Sequence, residues 1–93
     1  MKTVHLEITG KVQGVFFRAT AKDIASIHKI CGWIKNTNDD KVEALITGET
    51  EGVEAFILWS KQGPEKANVK HVKVTDMELK EFDSFEVIRW LRH

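Results

Sequence analysis

The chain is short of the features that mark several protein classes. It has 93 residues and a single cysteine, Cys31, so no disulfide can form within it and its fold rests on its core alone. That usage fits a reducing compartment. Neither sign of charge is in excess: 14 Lys and Arg balance 14 Asp and Glu. Domains that live on phosphate electrostatics usually carry a basic surplus, so the balance argues against a nucleic-acid module. No apolar run approaches the ~18 residues that a membrane-spanning helix needs. Met1-Lys2-Thr3-Val4-His5-Leu6-Glu7 is charged by its second residue and lacks the apolar centre of a signal peptide. No internal repeat, low-complexity tract or linker divides the chain. What remains is one small domain, residues 1–93, with no membrane or nucleic-acid partner, expected in the cytoplasm. Its 42% hydrophobic and 30% charged residues are ordinary for a folded protein and exclude general disorder.

Hydrophobic spacing supplies the elements. Val4, Leu6 and Ile8 alternate with His5, Glu7 and Thr9, a half-buried strand that Gly10 to Gly14 interrupts. From Phe17 the period changes, with Phe17, Ala21, Ile24, Ala25 and His28 on one helical face and Ile27 flanking it. Trp33 to Asn36 and Val42 to Gly48 read as two strands joined by the turn formers Thr37 to Lys41, hence a hairpin. A second helix is expected from Thr50, with Thr50 as cap and Glu51 and Glu54 in its first turn. Val53, Phe56, Ile57 and Ser60 form its inner face, and Gly63-Pro64 stops it. Val72 and Val74 mark a further strand, and Phe85 to Trp90 a last one. Two helices cannot cover both faces of so small a sheet. The order βαββαβ therefore points to the ferredoxin-like α/β plait, an α+β fold with both helices on one face of a mainly antiparallel sheet.

The joint between the first strand and first helix, Gly10-Lys11-Val12-Gln13-Gly14-Val15-Phe16-Phe17-Arg18, carries the chemistry. Glycines let successive N–H groups point into one concavity, and a helix N-terminus adds unpaired donors and a positive dipole end. Arg18 can add a planar fork matched to phosphate or carboxylate. The spacing is neither a Walker A loop nor a dinucleotide fingerprint. On these residues alone a second reading stands beside the anion site: the glycines turn the chain and Arg18 is a solvated helix residue.

This stretch resembles the G-x-V-Q-G-V-x-F-R signature of the acylphosphatase family. Gly32-Trp33-Ile34-Lys35-Asn36, followed by Val42-Glu43 and Gly48, resembles that family's second signature. Phe56, Trp59 and Gly63-Pro64 fall where the family has its second helix and a Gly-Pro stop, so the resemblance spans nearly the whole chain. It implies the α/β plait and hydrolysis of a carboxylic–phosphoric anhydride, without cofactor or metal, by a monomer acting on a small acyl phosphate. Carried over by position, Arg18 binds the phosphate. The backbone N–H groups of Gln13, Gly14, Val15, Phe16, Phe17 and Arg18 cradle its oxygens, and Asn36 holds the attacking water. Three positions depart from the family: Asp40 stands where Gly is usual in the hairpin turn, His28-Lys29 where Leu-Gly usually ends the first helix, and Ile34 where a smaller aliphatic residue is common. If those glycine positions need positive φ, each replacement costs ~1 kcal/mol.

Other candidates read more plainly. Asp39-Asp40 lacks a supporting third ligand, despite Glu43 nearby, and is a polar turn. His5, His28, His71 and His93 are scattered, with His28 a partly buried packing residue. Cys31 reads as a small buried apolar residue. Trp33, Trp59 and Trp90 are packing residues. Lys66, Lys70, His71 and Lys73 read as a solvated strand edge. An RNA-binding use of the same fold wants aromatics on the central strands, where this chain has His5, Glu7, Glu43 and Leu45. A non-catalytic phospholigand-binding module would share Arg18 and the cradle but would not need Asn36.

Overall fold

The computed structural model describes residues 1–89. In chain order the elements are β1 (Lys2–Lys11), α1 (Phe17–Ile27), β2 (Cys31–Asn36), β3 (Val42–Gly48), α2 (Thr50–Gln62), β4 (Asn68–Met77) and β5 (Phe85–Ile88). One five-stranded sheet has the order β4-β1-β3-β2-β5. All neighbours are antiparallel except β2 and β5, which run parallel. Both helices pack on one face, as the element order implies. This is the ferredoxin-like plait with a short parallel edge strand added.

The core lies between that face and the helices. Val4, Leu6 and Ile8 of β1 meet Val42, Ala44 and Ile46 of β3, Ile34 of β2, Phe17, Ala21 and Ala25 of α1, and Val53 and Phe56 of α2. Phe17 packs against Trp59 at a tilt and Phe56 meets it edge-on, at 5.0 and 5.8 Å between ring centroids. The small residues Ala21 and Ala25, spaced by four, let α1 lie close to the sheet. Ser60, in the apolar face of α2, satisfies its hydroxyl by donating to Ile57 O at 2.7 Å.

Several boundaries differ from the sequence reading. β1 continues through Gly10 to Lys11, because a register shift between Thr9 and Gly10 lets it keep pairing with β4. β2 and β4 are longer than their alternation suggests, since edge and half-exposed residues also pair. Thr50 is not the cap of α2: Glu49 is, with extended φ −60°, ψ 147°, and its carbonyl accepts from Val53 N at 2.9 Å. Glu51 alone is acidic in the first turn, Glu54 lying one turn further. Leu45 is buried although it points away from the helices, because its cross-strand neighbours are Trp33 and His5. Ile27 is exposed and Cys31 only half-buried. The basic residues of 66–73 are exposed on the sheet's β4 edge, as expected. Trp90 and His93 lie outside the described residues.

β4 and β5 occupy opposite edges of the sheet, so the chain between them must cross it. It crosses the face without helices. There Thr3 and Thr47, buried cross-strand partners, hydrogen-bond through their hydroxyls at 2.7 Å. Lys80 N donates to Thr3 Oγ1 at 2.9 Å, and Gly32 N to Ser84 O at 2.9 Å. The strap thus spans the sheet and delivers β5 to the free edge of β2.

Candidate active site

Residues 12–16 link β1 to α1. Val12 and Val15 are buried and fix the loop to the core. Gly14 has φ 72° and open space around it, so only its backbone conformation calls for glycine. Phe16, the N-cap of α1, is also left-handed at φ 64° and 75% exposed. That conformation is uncommon for an aromatic residue and its strain is held by the buried neighbours on either side. Among the described residues no side chain caps α1, and no acidic residue stands in its first turn. Its first N–H groups therefore keep an anion's position open at the positive end of the helix.

Arg18 is the second residue of α1 and half-buried. Phe17 beside it turns into the core, which directs Arg18 to the other side, toward the sheet's β5 edge. There Arg18 Nη1 donates to Ile88 O at 3.1 Å. One donor of the fork is used for this anchoring, and among the described residues Arg18 makes no other side-chain hydrogen bond.

Asn36 is the last residue of β2, half-buried and paired with Val42. The turn after it is closed by Thr37 N donating to Lys41 O at 2.9 Å and Lys41 N donating to Thr37 Oγ1 at 3.0 Å. Asp40 has φ 68°, so the turn does use the left-handed region. The Thr37 hydroxyl also donates to Asp39 and, with Lys41 nearby, holds that carboxyl below its ordinary value. Gln13 connects this turn to the loop before α1. Its side-chain amide donates to Thr37 O at 3.0 Å and to Lys41 O at 2.8 Å.

A pocket of about 230 Å³ opens among these parts, lined by Val12, Gly14, Phe16, Phe17, Arg18, Ala19, Asn36 and Arg89. Arg18 and Asn36, far apart in sequence, thus face one space beside the loop. Gln13 and Val15 contribute no side chain to it; one turns to the hairpin and the other to the core. Arg89 was not anticipated, because nothing local marks it: only the parallel pairing of β5 with β2 brings it here. Asp39 and Asp40 stand in the turn without a third ligand, and among the described residues no three His, Cys, Asp or Glu side chains cluster as a metal site.

This geometry coincides with a family pattern over most of the chain. The acylphosphatase family model matches residues 4–87. The chain belongs to the acylphosphatase family. An acylphosphatase of Thiobacillus denitrificans is 42% identical, over 92% of this chain and 96% of its own. One of Nitrosococcus oceani is 45% identical, over 90% of this chain and 94% of its own. The crystal structure of acylphosphatase from Bacillus subtilis superposes with a TM-score of 0.91 at 30% identity, covering 95% of this chain and 99% of that one. The activity that goes with acylphosphatase membership is hydrolysis of a small acyl phosphate. The helix-free face of the sheet carries His5 bonded to Glu43 at 2.7 Å, Lys41 near Glu7 at 3.7 Å, and Lys35 5.2 Å over the Trp33 ring.

Proposed function

We propose that Arg18 and Asn36 are the catalytic residues of this acylphosphatase and that the N–H groups of residues 13–18 hold the substrate's phosphate. The observation that carries the reading is the shared pocket, in which Arg18, Asn36 and the open N-terminus of α1 converge. The phosphate sits at the helix N-terminus, with its oxygens on backbone N–H groups and the Arg18 guanidinium. Asn36 accepts a hydrogen bond from a water through its side-chain carbonyl and so aims that water at phosphorus. The water oxygen bonds to phosphorus while the bond from phosphorus to the acyl oxygen breaks. The carboxylate leaves with the bonding pair and needs no proton. The water's proton passes to a phosphate oxygen, giving inorganic phosphate. Charge spreads over the phosphoryl oxygens in the transition state, where Arg18 and the amides oppose it in fixed positions. One domain acting as a monomer in the cytoplasm suffices for this chemistry, since every group comes from one chain and the single thiol needs no oxidising partner.

Release of phosphate from benzoyl phosphate, with excess chelator, tests the assignment. Arg18→Ala is expected to lose both turnover and inhibition by inorganic phosphate. Asn36→Ala is expected to keep phosphate inhibition within about threefold and to lose kcat by at least about a hundredfold. Equal loss of phosphate binding in both variants would overturn the division of roles. An Asn36→Ala enzyme that still turns over would favour a role for that residue in structure alone.

A further inference from the structure

The hydrolytic roles above leave one charged group of the pocket unused. Arg89 follows directly on β5, which ends at Ile88. In the parallel ladder Ile88 stands beside Lys35, so the next residue along each strand is Arg89 and Asn36. Both line the pocket. Ile88 O accepts the hydrogen bond from Arg18 Nη1, which ties the backbone just before Arg89 to the arginine of the phosphate site. The two guanidiniums differ in depth. Arg18 is half-buried, whereas Arg89 is exposed, as is Phe16, which also lines the pocket. No carboxylate stands among the described residues that line this space, so Arg89 meets no acidic side chain there.

An acyl phosphate held by its phosphate against the α1 terminus leaves its acyl group in the same pocket, whose exposed lining side chains include Arg89 and Phe16. A guanidinium matches a carboxylate as well as it matches a phosphate, and an exposed ring offers an apolar face to a carbon chain. We infer that Arg89 is a specificity-determining residue that favours acyl phosphates whose acyl group ends in a second anionic group, a carboxylate. This rests on the phosphate-holding role proposed for Arg18 and the loop. The site is open to solvent, so the preference is modest, about fivefold, and salt weakens it.

The test compares benzoyl phosphate with 4-carboxybenzoyl phosphate, which differ only by that carboxylate. The readout is the ratio of their kcat/KM values. Wild type is expected to favour the carboxylated substrate at low ionic strength and to lose the preference as salt is added. Arg89→Gln is expected to lower the ratio about fivefold, and Arg89→Lys to fall between, because charge remains but the fork is lost. Inhibition by inorganic phosphate is followed in each variant and also reports a folded site. A wild-type ratio that Arg89→Gln leaves unchanged overturns the inference. So does a variant that slows both substrates equally and weakens phosphate inhibition, because Arg89 would then hold the phosphate. A wild type that hydrolyses neither substrate would overturn the hydrolytic roles themselves, and the inference with them.

Discussion

At the scale of single residues, Gln13 shows how the two halves of the site are held in one frame. Both hydrogens of its amide are spent on carbonyls of the turn that follows Asn36. Gln13→Leu keeps the bulk and removes both bonds. The cost to stability is about 1–2 kcal/mol, because the freed carbonyls are partly exposed. The cost to catalysis is expected in kcat, about tenfold, with inhibition by inorganic phosphate changed by less than about threefold, since Asn36, proposed to hold the water, moves and the N–H groups stay. Steady-state kinetics with phosphate as inhibitor separates the two. Thr37 matters differently. Its hydroxyl is the main reason the Asp39 carboxyl lies below its ordinary value of 3.8. A carboxyl lowered in the native state adds stability above that ordinary value, and the contribution is lost as pH falls through the native value. Thr37→Val is expected to raise the Asp39 titration toward 3.8, as read by carboxyl NMR, and to shrink that acid-side contribution. Arg18 and Asn36 could be named from the sequence as candidates because each sits in a contiguous motif, and the structure brings both to one pocket. Gln13 was legible as a motif member, but its side-chain partners were not, since they lie across the hairpin.

At the scale of elements, the end of α1 carries a measurable cost. Lys29 N donates to Ser26 O at 3.4 Å and Ile30 N to Ala25 O at 2.8 Å, the paired bonds of a Schellman cap. The residue at the left-handed position of that cap is Lys29, with φ 56°. A lysine there has a Cβ in a conformation that favours glycine. Lys29→Gly is expected to stabilise the protein by about 1 kcal/mol in urea unfolding, with activity unchanged. Asp40→Gly, in the hairpin turn, is expected to gain less, because Asp tolerates that region better than lysine. Gly63 behaves in the opposite sense. It has φ 71°, and a Cβ there would lie 2.9 Å from the Phe17 ring, so Gly63→Ala destabilises by about 1–3 kcal/mol. Helix faces were readable because Phe17, Ala21 and Ala25, or Val53, Phe56 and Ser60, repeat at helical intervals. The α2 cap was misread because capping depends on which residue leaves the helical backbone conformation, and Thr50 and Glu49 offer equally polar side chains at that boundary.

At the scale of the whole molecule, the strap over the sheet decides what the site contains. The element order made the first four strands and the two helices legible. It could not show that the next segment would pair parallel to β2, because parallel partners are set by where a long connection lands and not by local pattern. Arg89 stayed hidden for that reason. A chain ending after Ser84 keeps the loop, Arg18 and Asn36 but loses the carbonyl that holds Arg18 Nη1 and the strand that covers the edge of β2. It is expected to unfold at lower denaturant and to bind inorganic phosphate more weakly, which equilibrium unfolding and phosphate titration would measure. Unaltered phosphate affinity in that shortened chain would mean that Arg18 needs no anchor.

That contact between Arg18 and Ile88 also sets an order of events during translation. A chain synthesised as far as residue 84 already contains the loop proposed to hold the phosphate, yet Arg18 still lacks Ile88 O, its backbone partner. With the roles proposed for Arg18 and the loop, hydrolytic competence is expected only once the strap has been laid down and β5 has docked. A chain terminated before β5 is then expected to be a poor hydrolase.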